Sequence, residues 1–591
     1  MMNKADACVI PTLDELKKLG LADLSGLAEN IRCFLIDSIS QTGGHIGANL
    51  SVIELTVALH RVFESPQDKI LFDTGHQGYT HKLLTGRQAL FSSLNQWQGM
   101  NRFIARDESE HDAMDATHAG TSLSIACGYS RALKSSGSEN YVVALIGDGT
   151  LVEGMAFEGL NFSSEKRDLN LVIIVNDNEM AIAPTVGGMS KLTKGDDWIE
   201  KSQAFFGGLG LGYIPIADGH DVGAVIEGLH AAKAVCGPVV VHVKTEKGKG
   251  LPCAKEHPYK MHFSMPFDPQ TGEGASATVP GRTYAVVGAS QLLECMEEDD
   301  SVYALTAATP YASALDECLA RFPERAIDVG MAEQHAVGMA CGLALGEKKP
   351  VVCMQTTFMQ RAFDQLLHDA CFMNLPVTML GVRAGFAGYD GSTHHGLYDI
   401  PYLRSFPNMQ VAYPVDSKNL ALLIKTRLEN PQGPMTILYP YEPVPVPEPD
   451  AGVLEPCGLS VAAEGKDGLI LCLGNRLVDA HKLRDQLQAQ AKDFGLACVQ
   501  TIKPFPSQRL LELVESVEYI VTLEESVLNG GFGSLVLEVL SDSGVSKKVF
   551  RSGVDDCFVP PGSKDECSKA CGITPGQIVS HLAEKWAEFG K

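Results

Sequence analysis

None of the 591 positions belongs to a run of 18 apolar residues, so no stretch reads as a membrane-spanning helix. The sixteen cysteines include no Cys-x-x-Cys pair; Cys567 and Cys571 come nearest, and one such spacing is a weak metal signal. Scattered thiols in a large chain fit a reducing cytoplasm, which is the expected location. Cations are also scarce. There are 48 lysines and arginines against 72 aspartates and glutamates, a net charge of −24. That field repels nucleic acid and anionic lipid, and neither is expected as a partner. An anionic cofactor or substrate would need a local cationic or metal-based site. The opening stretch MMNKADACVIPTLDELKKLG lacks the basic-then-apolar order of a secretory leader and the arginine-rich character of a transit peptide, so no leader is expected.

What is present is a soluble globular composition, 45% hydrophobic and 20% charged, on a chain too long for one core. Short β-branched runs recur: YVVALIG (141–147), NLVIIV (170–175), PVVVHV (238–243), PVVCMQ (350–355), PVTMLGV (376–382), GLILCLG (468–474) and EYIVTLEE (518–525). They read as buried strands. Helical patterns such as SVIELTVALHRVF (51–63) and RAFDQLLHDACFM (361–373) lie between them. Such alternation predicts α/β architecture with parallel sheets. The Pro/Gly-rich stretches 257–283 and 439–452 mark linkers. Three α/β domains are expected, at residues 1–270, 284–440 and 453–591.

The strongest local signal is GDGTLVEGMAFEGLNF followed by NLVIIVNDNEM. One strand ends in Gly147-Asp148-Gly149 and the next in Asn176-Asp177-Asn178, 28 residues on. Open α/β sheets bind ligands at the carboxyl ends of their strands. Glycine lets backbone approach a phosphate, and a helix N-terminus favours the anion. Asp148 is a hard oxygen ligand suited to Mg²⁺, with a second oxygen available from Asn178 and a carbonyl from Met180. Both tripeptides are also ordinary turn chemistry. The pair His394-His395 in YDGSTHHGLYD (389–399) is not expected to hold a metal, because neighbouring side chains point apart.

With GDG and NDN at this spacing, the chain resembles the 1-deoxy-D-xylulose-5-phosphate synthase family of transketolase-like, thiamine-diphosphate enzymes. The resemblance runs nearly end to end, through TGGHIGANLSVIELTVALH (42–60), FDTGHQGYTHKLLTGR (72–87), SEHDAMDATHAGTSLSIACG (109–128, in which THAGTS stands where the family has GHSSTS), KGKG (247–250), MHFSMPFDPQTG (261–272), DVGMAEQHAVGMACGLA (328–344), TTFMQRAFDQLLHD (356–369), RAGFAGYDGSTHHG (383–396) and EESVLNGGFGS (524–534). It implies a diphosphate-binding domain, a pyrimidine-binding domain and a C-terminal domain, forming a homodimer that binds thiamine diphosphate and Mg²⁺. It implies a carboligase that decarboxylates pyruvate and joins the two-carbon unit to glyceraldehyde 3-phosphate, a transferase step of isoprenoid or thiamine biosynthesis.

The same resemblance assigns residues. Glu333 would bond the aminopyrimidine and share a proton with it, and Phe358 would stack on that ring. His45, His76 and His262 would lie near the reacting carbons, where a histidine can donate to a developing alkoxide. His76, His118, Ala119, Gly149, Thr150 and Lys247 would contact the cofactor. Asp148, Asn178 and Met180 would hold the metal. Asp390, His394, Arg383 and Arg361 would face the substrates.

The sequence departs from the family where the acceptor binds. A second phosphate-binding arginine is expected in a YPRG stretch; here YPYE places Tyr441 at that position, with Glu442 beside it. An acidic neighbour repels phosphate, and losing one charge-assisted partner costs about 1.5–3 kcal/mol, roughly 10- to 150-fold in affinity. AATPYAS (307–313) replaces a family stretch on the same side, Leu251 replaces a tyrosine, and only 39 residues separate Met180 from His220, where the family carries a longer covering segment. Three readings follow: the family reaction with a rearranged phosphate site; the family chemistry on a different, unphosphorylated aldehyde or with a ketose donor; and an inactive paralogue.

Overall fold

A computed structural model describes residues 9–276 and 281–589. The start of the stretch read as leader-free, and residues 277–280 of the first linker, lie outside the described residues. The chain divides into two compact units, one of residues 1–278 with 330–332, the other of residues 279–329 and 333–591.

The first unit carries a five-stranded sheet, β1 (Lys69–Phe72), β2 (Val142–Gly147), β3 (Leu171–Asp177), β4 (Gly212–Ile216) and β5 (Val239–Lys244), in the order β1-β2-β3-β5-β4. Every pairing is parallel. The continuous apolar runs follow from burial on both faces. Val143, Leu145, Val172 and Ile174 enter one core, while Val142, Ala144, Ile146, Ile173 and Val175 enter the other. Period-two alternation therefore divides one hydrophobic run between two helical layers. Pro215 sits on β4, an edge strand, where its missing N–H costs least.

The second unit carries two sheets. In the larger, β6 (Val302–Thr306), β7 (Ala326–Asp328), β8 (Lys349–Gln355), β9 (Thr378–Ala384), β10 (Gln410–Ala412), β11 (Met435–Pro440) and β15 (Thr501–Lys503) run β15-β10-β11-β9-β8-β6-β7. Only β15 is antiparallel. In the smaller, β12 (Leu459–Ala463), β13 (Gly468–Leu473), β14 (Phe494–Val499), β16 (Tyr519–Val527) and β17 (Lys548–Val554) run β12-β14-β13-β16-β17, with β12 antiparallel.

Two local expectations change. The run 361–373 is not a regular α-helix: a 3₁₀ turn at Gln360–Ala362 leads into a wide π-helix, Gln365–Phe372. Such segments concentrate at functional sites, and this one directly follows Phe358. The stretch 257–276 is more than a linker. Gly44 and Ser264 exchange backbone hydrogen bonds of 2.9 and 3.0 Å, and Met261 and Phe267 are buried in the first unit's core.

Candidate active site

In the first unit, adjacent strand ends assemble a polar corner. Gly147 pairs with Asn176, and Asp177 with Lys244, so Asp148 and Asn178 emerge side by side from β2 and β3. Asp148 is buried, and neither carboxylate oxygen has a hydrogen-bond partner among the described residues. Burial and the neighbouring Asp177 push its pKa up to about 7, against the pull of Lys247. Lys247 is buried too; burial pushes its pKa down to about 7, and its Nζ donates to the Ala181 carbonyl at 2.5 Å. The Asn178 Oδ1 accepts the Met180 N–H at 3.2 Å, which leaves its second lone pair open. Gly149 has no room for a side chain: a Cβ would lie 2.7 Å from that of Ala181 and 3.1 Å from the Met331 methyl. Beside this corner lies a cavity of about 250 Å³, lined by Asp177, Asn178, Met180, Lys244, Lys247 and Lys260 among others.

This chemistry fits a divalent cation with a diphosphate. An orphaned buried carboxylate needs a cation, and carboxylate, amide and carbonyl oxygens suit Mg²⁺. Among the described residues no group of three His, Cys, Asp or Glu could hold a metal, which excludes a zinc-like cluster here. The local lysines supply the cationic setting that an acidic chain needs for an anionic cofactor.

Three histidines gather elsewhere in the same unit. The His45 ring lies 5.6 Å from those of His76 and His262, and His76 lies 4.9 Å from His262. Phe103 and Phe263 pack on His45 at 5.4 and 5.3 Å. Burial and Lys247 push the His76 pKa down to about 3, and the same causes hold His262 well below its ordinary value. Both are therefore neutral donors or acceptors at pH 7. The approach of their segments depends on Gly47, where a Cβ would fall 2.0 Å from the Lys260 carbonyl oxygen.

Two residues that hold this half together were not singled out from the sequence. Asn49 is fully buried, and its Nδ2 donates to the carbonyls of His45 and His76, each at 2.7 Å. Its Oδ1 accepts the Tyr79 N–H at 2.8 Å. Asp73 accepts the Gly120 N–H at 3.0 Å and the Thr150 hydroxyl at 2.7 Å, tying the loop of His118 and Ala119 to the GDG corner. The Thr150 side chain is thus engaged by Asp73. The signal for both was position inside the histidine motifs, GGHIGAN and FDTGH.

The second unit carries the other candidates on segments that follow the neighbouring strands β7, β6, β8, β9 and β11. Glu333 opens the helix Glu333–Leu345; it is buried, and its Oε2 has no partner among the described residues. Burial raises its pKa, with the Arg361 charge opposing the rise. Arg361 thus stands within electrostatic reach of Glu333. Phe358 follows β8 and meets the His394 ring edge-on at 5.7 Å. Arg383 is buried near the end of β9 and pairs through Nη1 with Asp390 at 3.2 Å. Tyr441 follows β11, and its ring centroid lies 3.8 Å from the Arg383 guanidinium carbon. Tyr311 lies in AATPYAS, the stretch the sequence placed on the acceptor side, and stands within electrostatic reach of Arg383, Asp390 and Tyr441.

Glu442 corrects an expectation. Its carboxylate does not repel at the Arg383 end; it pairs with Lys564 at 2.9 and 3.1 Å. His395 is structural: its Nδ1 accepts the Ala387 N–H at 2.9 Å and its Nε2 faces the Pro560 carbonyl at 3.4 Å. The two adjacent histidines therefore point to different neighbours.

Comparison with known proteins follows this division. The family model described as 1-deoxy-D-xylulose-5-phosphate synthase matches residues 9–197 and 193–245. The transketolase pyrimidine-binding domain matches 283–445, and the transketolase C-terminal domain matches 459–578. The chain is 39% identical to 1-deoxy-D-xylulose-5-phosphate synthase 2 of Geobacter sulfurreducens, over 96% of this chain and 97% of the relative. It is 37% identical to the 1-deoxy-D-xylulose-5-phosphate synthase of Alkaliphilus oremlandii, over 98% and 99%. Among solved structures, a transketolase from Pichia stipitis aligns over 96% of this chain and 97% of its own at 15% identity, with a TM-score of 0.45.

Proposed function

The chain belongs to the 1-deoxy-D-xylulose-5-phosphate synthase family, and from that premise we propose that it decarboxylates pyruvate and joins the two-carbon unit to glyceraldehyde 3-phosphate, as a thiamine-diphosphate- and Mg²⁺-dependent transferase. The observation that carries this reading is Asp148, a buried carboxylate with neither oxygen bonded among the described residues, beside buried Lys247 and a cavity lined by four lysines and three carboxylates. Asp148, Asn178 and the Met180 carbonyl would hold the metal; Gly149, Lys247 and the loop of His118 and Ala119 would hold the diphosphate, and Phe358 and Glu333 the pyrimidine. Bound there, the cofactor supplies the carbanion sink that pyruvate decarboxylation requires.

The remaining chemistry falls to the protein. The Glu333 Oε2, buried and unbonded, holds or accepts a proton from a ring nitrogen, and its raised pKa suits that exchange. Neutral His76 and His262, with His45 beside them, donate hydrogen bonds to oxygens that gain charge, and Phe103 and Phe263 pack on the His45 ring. Asp390 and His394 position the acceptor. Three functional domains, 1–270, 284–440 and 453–591, are part of this reading. So is a homodimer, supported by the exposed Phe363, Phe372, Met373 and Leu345, with light scattering as its check. Among the described residues no helix is long and apolar enough to cross a membrane. The described cysteines are free, which supports a cytoplasmic place.

The direct test is CO₂ release and carboligation by the purified protein with pyruvate, glyceraldehyde 3-phosphate, thiamine diphosphate and Mg²⁺. Turnover that needs both cofactors supports the reading. Undiminished turnover by a folded Glu333→Ala variant would overturn the role given to Glu333.

A further inference from the structure

Arg383 is the buried cation of the acceptor end, and its charge is already answered inside the protein. The Asp390 carboxylate pairs with Nη1 at 3.2 Å, so the two together carry no net charge. The Tyr441 ring covers a face of the guanidinium at 3.8 Å, a cation–π contact that strengthens away from water. Tyr311 joins the same group and contributes a hydroxyl rather than a cation. The segment that carries it, AATPYAS, has no lysine or arginine. Lys564, which could have reinforced the positive field, pairs with Glu442 and lies 3.5 Å from Glu525.

What Arg383 keeps is a donor edge. Its Nε is buried without a partner among the described residues. A buried N–H seeks an acceptor, but this N–H belongs to a pair of zero net charge. A phosphate dianion would bring two negative charges to a group that Asp390 has already neutralised, whereas a hydroxyl oxygen would satisfy the same N–H at no charge cost.

We propose that Asp390 and Tyr441 turn Arg383 from a phosphate anchor into a hydrogen-bond donor for neutral oxygen, so that the acceptor site takes an unphosphorylated hydroxyaldehyde at least as well as its phosphate ester. The proposal rests on the carboligase reading above and on its placement of Arg383 at the acceptor. Tyr441 is then the residue that sets acceptor selectivity, through Arg383.

The test compares D-glyceraldehyde with D-glyceraldehyde 3-phosphate as acceptors for the holoenzyme with pyruvate, reading product formation and CO₂. In the native protein the ratio of kcat/KM, phosphate ester over free aldehyde, should be about one or below. Tyr441→Arg and, independently, Asp390→Asn should each raise that ratio by about 10- to 150-fold, the worth of one charge-assisted contact, whatever happens to the absolute rate. A native ratio above about 100, or a ratio unmoved in both variants, would overturn the proposal. Should either variant fold poorly, inhibition of the native holoenzyme decides: glycerol should compete with the acceptor about as well as glycerol 3-phosphate, and a clear advantage of the phosphate would count against us. Absence of CO₂ release with either acceptor would instead remove the carboligase premise, and this inference with it.

Discussion

The two units differ in whether the electrostatics of their candidate residues are finished. In the first unit, Asp148 and Lys247 are buried and displaced toward neutrality by burial, and neither Asp148 carboxylate oxygen has a hydrogen-bond partner from another described residue. In the second unit, Arg383 is equally buried but is matched by Asp390 and covered by Tyr441. An unfinished buried charge is a cost that the protein carries until a ligand completes it. A finished one makes no such demand. The Asp148 corner of the first unit therefore reads as a place for a charged group, Mg²⁺ with a diphosphate, and the Arg383 cluster of the second unit as a place for a neutral one. Glu333 belongs with the unfinished set, with a raised pKa and one orphaned oxygen.

The largest effect expected from breaking this contrast is at Glu333. Glu333→Ala should lower kcat by about 10²- to 10⁴-fold, the usual worth of a positioned proton-transfer group, while circular dichroism shows a folded protein. Next comes Asp148→Asn, which keeps the shape and removes the charge. Chelation with EDTA should abolish native activity and added Mg²⁺ restore it; the variant should need about 10- to 100-fold more Mg²⁺ for half-activity. A smaller effect concerns pH. The buried His76 has a folded pKa of about 3, below its unfolded value, so between the two the unfolded chain binds more protons. Stability of the cofactor-free protein should fall as pH drops through that window, and His76→Gln should flatten the fall in urea titrations. Smallest is a gain. Glu333→Gln removes a carboxylate that burial disfavours in the empty protein, and should raise the apparent Tm of the cofactor-free form by an amount worth on the order of 1 kcal/mol. An unchanged or lowered Tm would mean that Glu333 is not an uncompensated group.

The parallel sheets were legible because their strands are buried on both faces, so Val142–Gly147 and Leu171–Asp177 appear as continuous apolar runs. The polar corner of Asp148 and Asn178 was legible because both strands end in short oxygen-bearing turns. Asn49 and Asp73 were not, because Asn49 donates to backbone carbonyls and Asp73 accepts a backbone N–H, and such clamps on main-chain groups leave no motif of their own. The π-helix was hidden because its apolar spacing matches an ordinary helix within two turns. At the acceptor end, the sequence showed that Tyr441 stood in an arginine's place. It did not show that the ring would stack on Arg383, which depends on the β9–β11 pairing, nor that Glu442 would turn to Lys564, which opens a helix more than 120 residues further on.

Ligand-induced stabilisation tests the contrast most directly, since a ligand that binds the folded state raises its Tm in proportion to affinity. The native cofactor-free protein should gain several degrees from Mg²⁺ with thiamine diphosphate, and the loaded protein should gain nothing further from glycerol 3-phosphate beyond what glycerol gives. No shift with Mg²⁺ and thiamine diphosphate, or a large additional shift with glycerol 3-phosphate, would contradict the account.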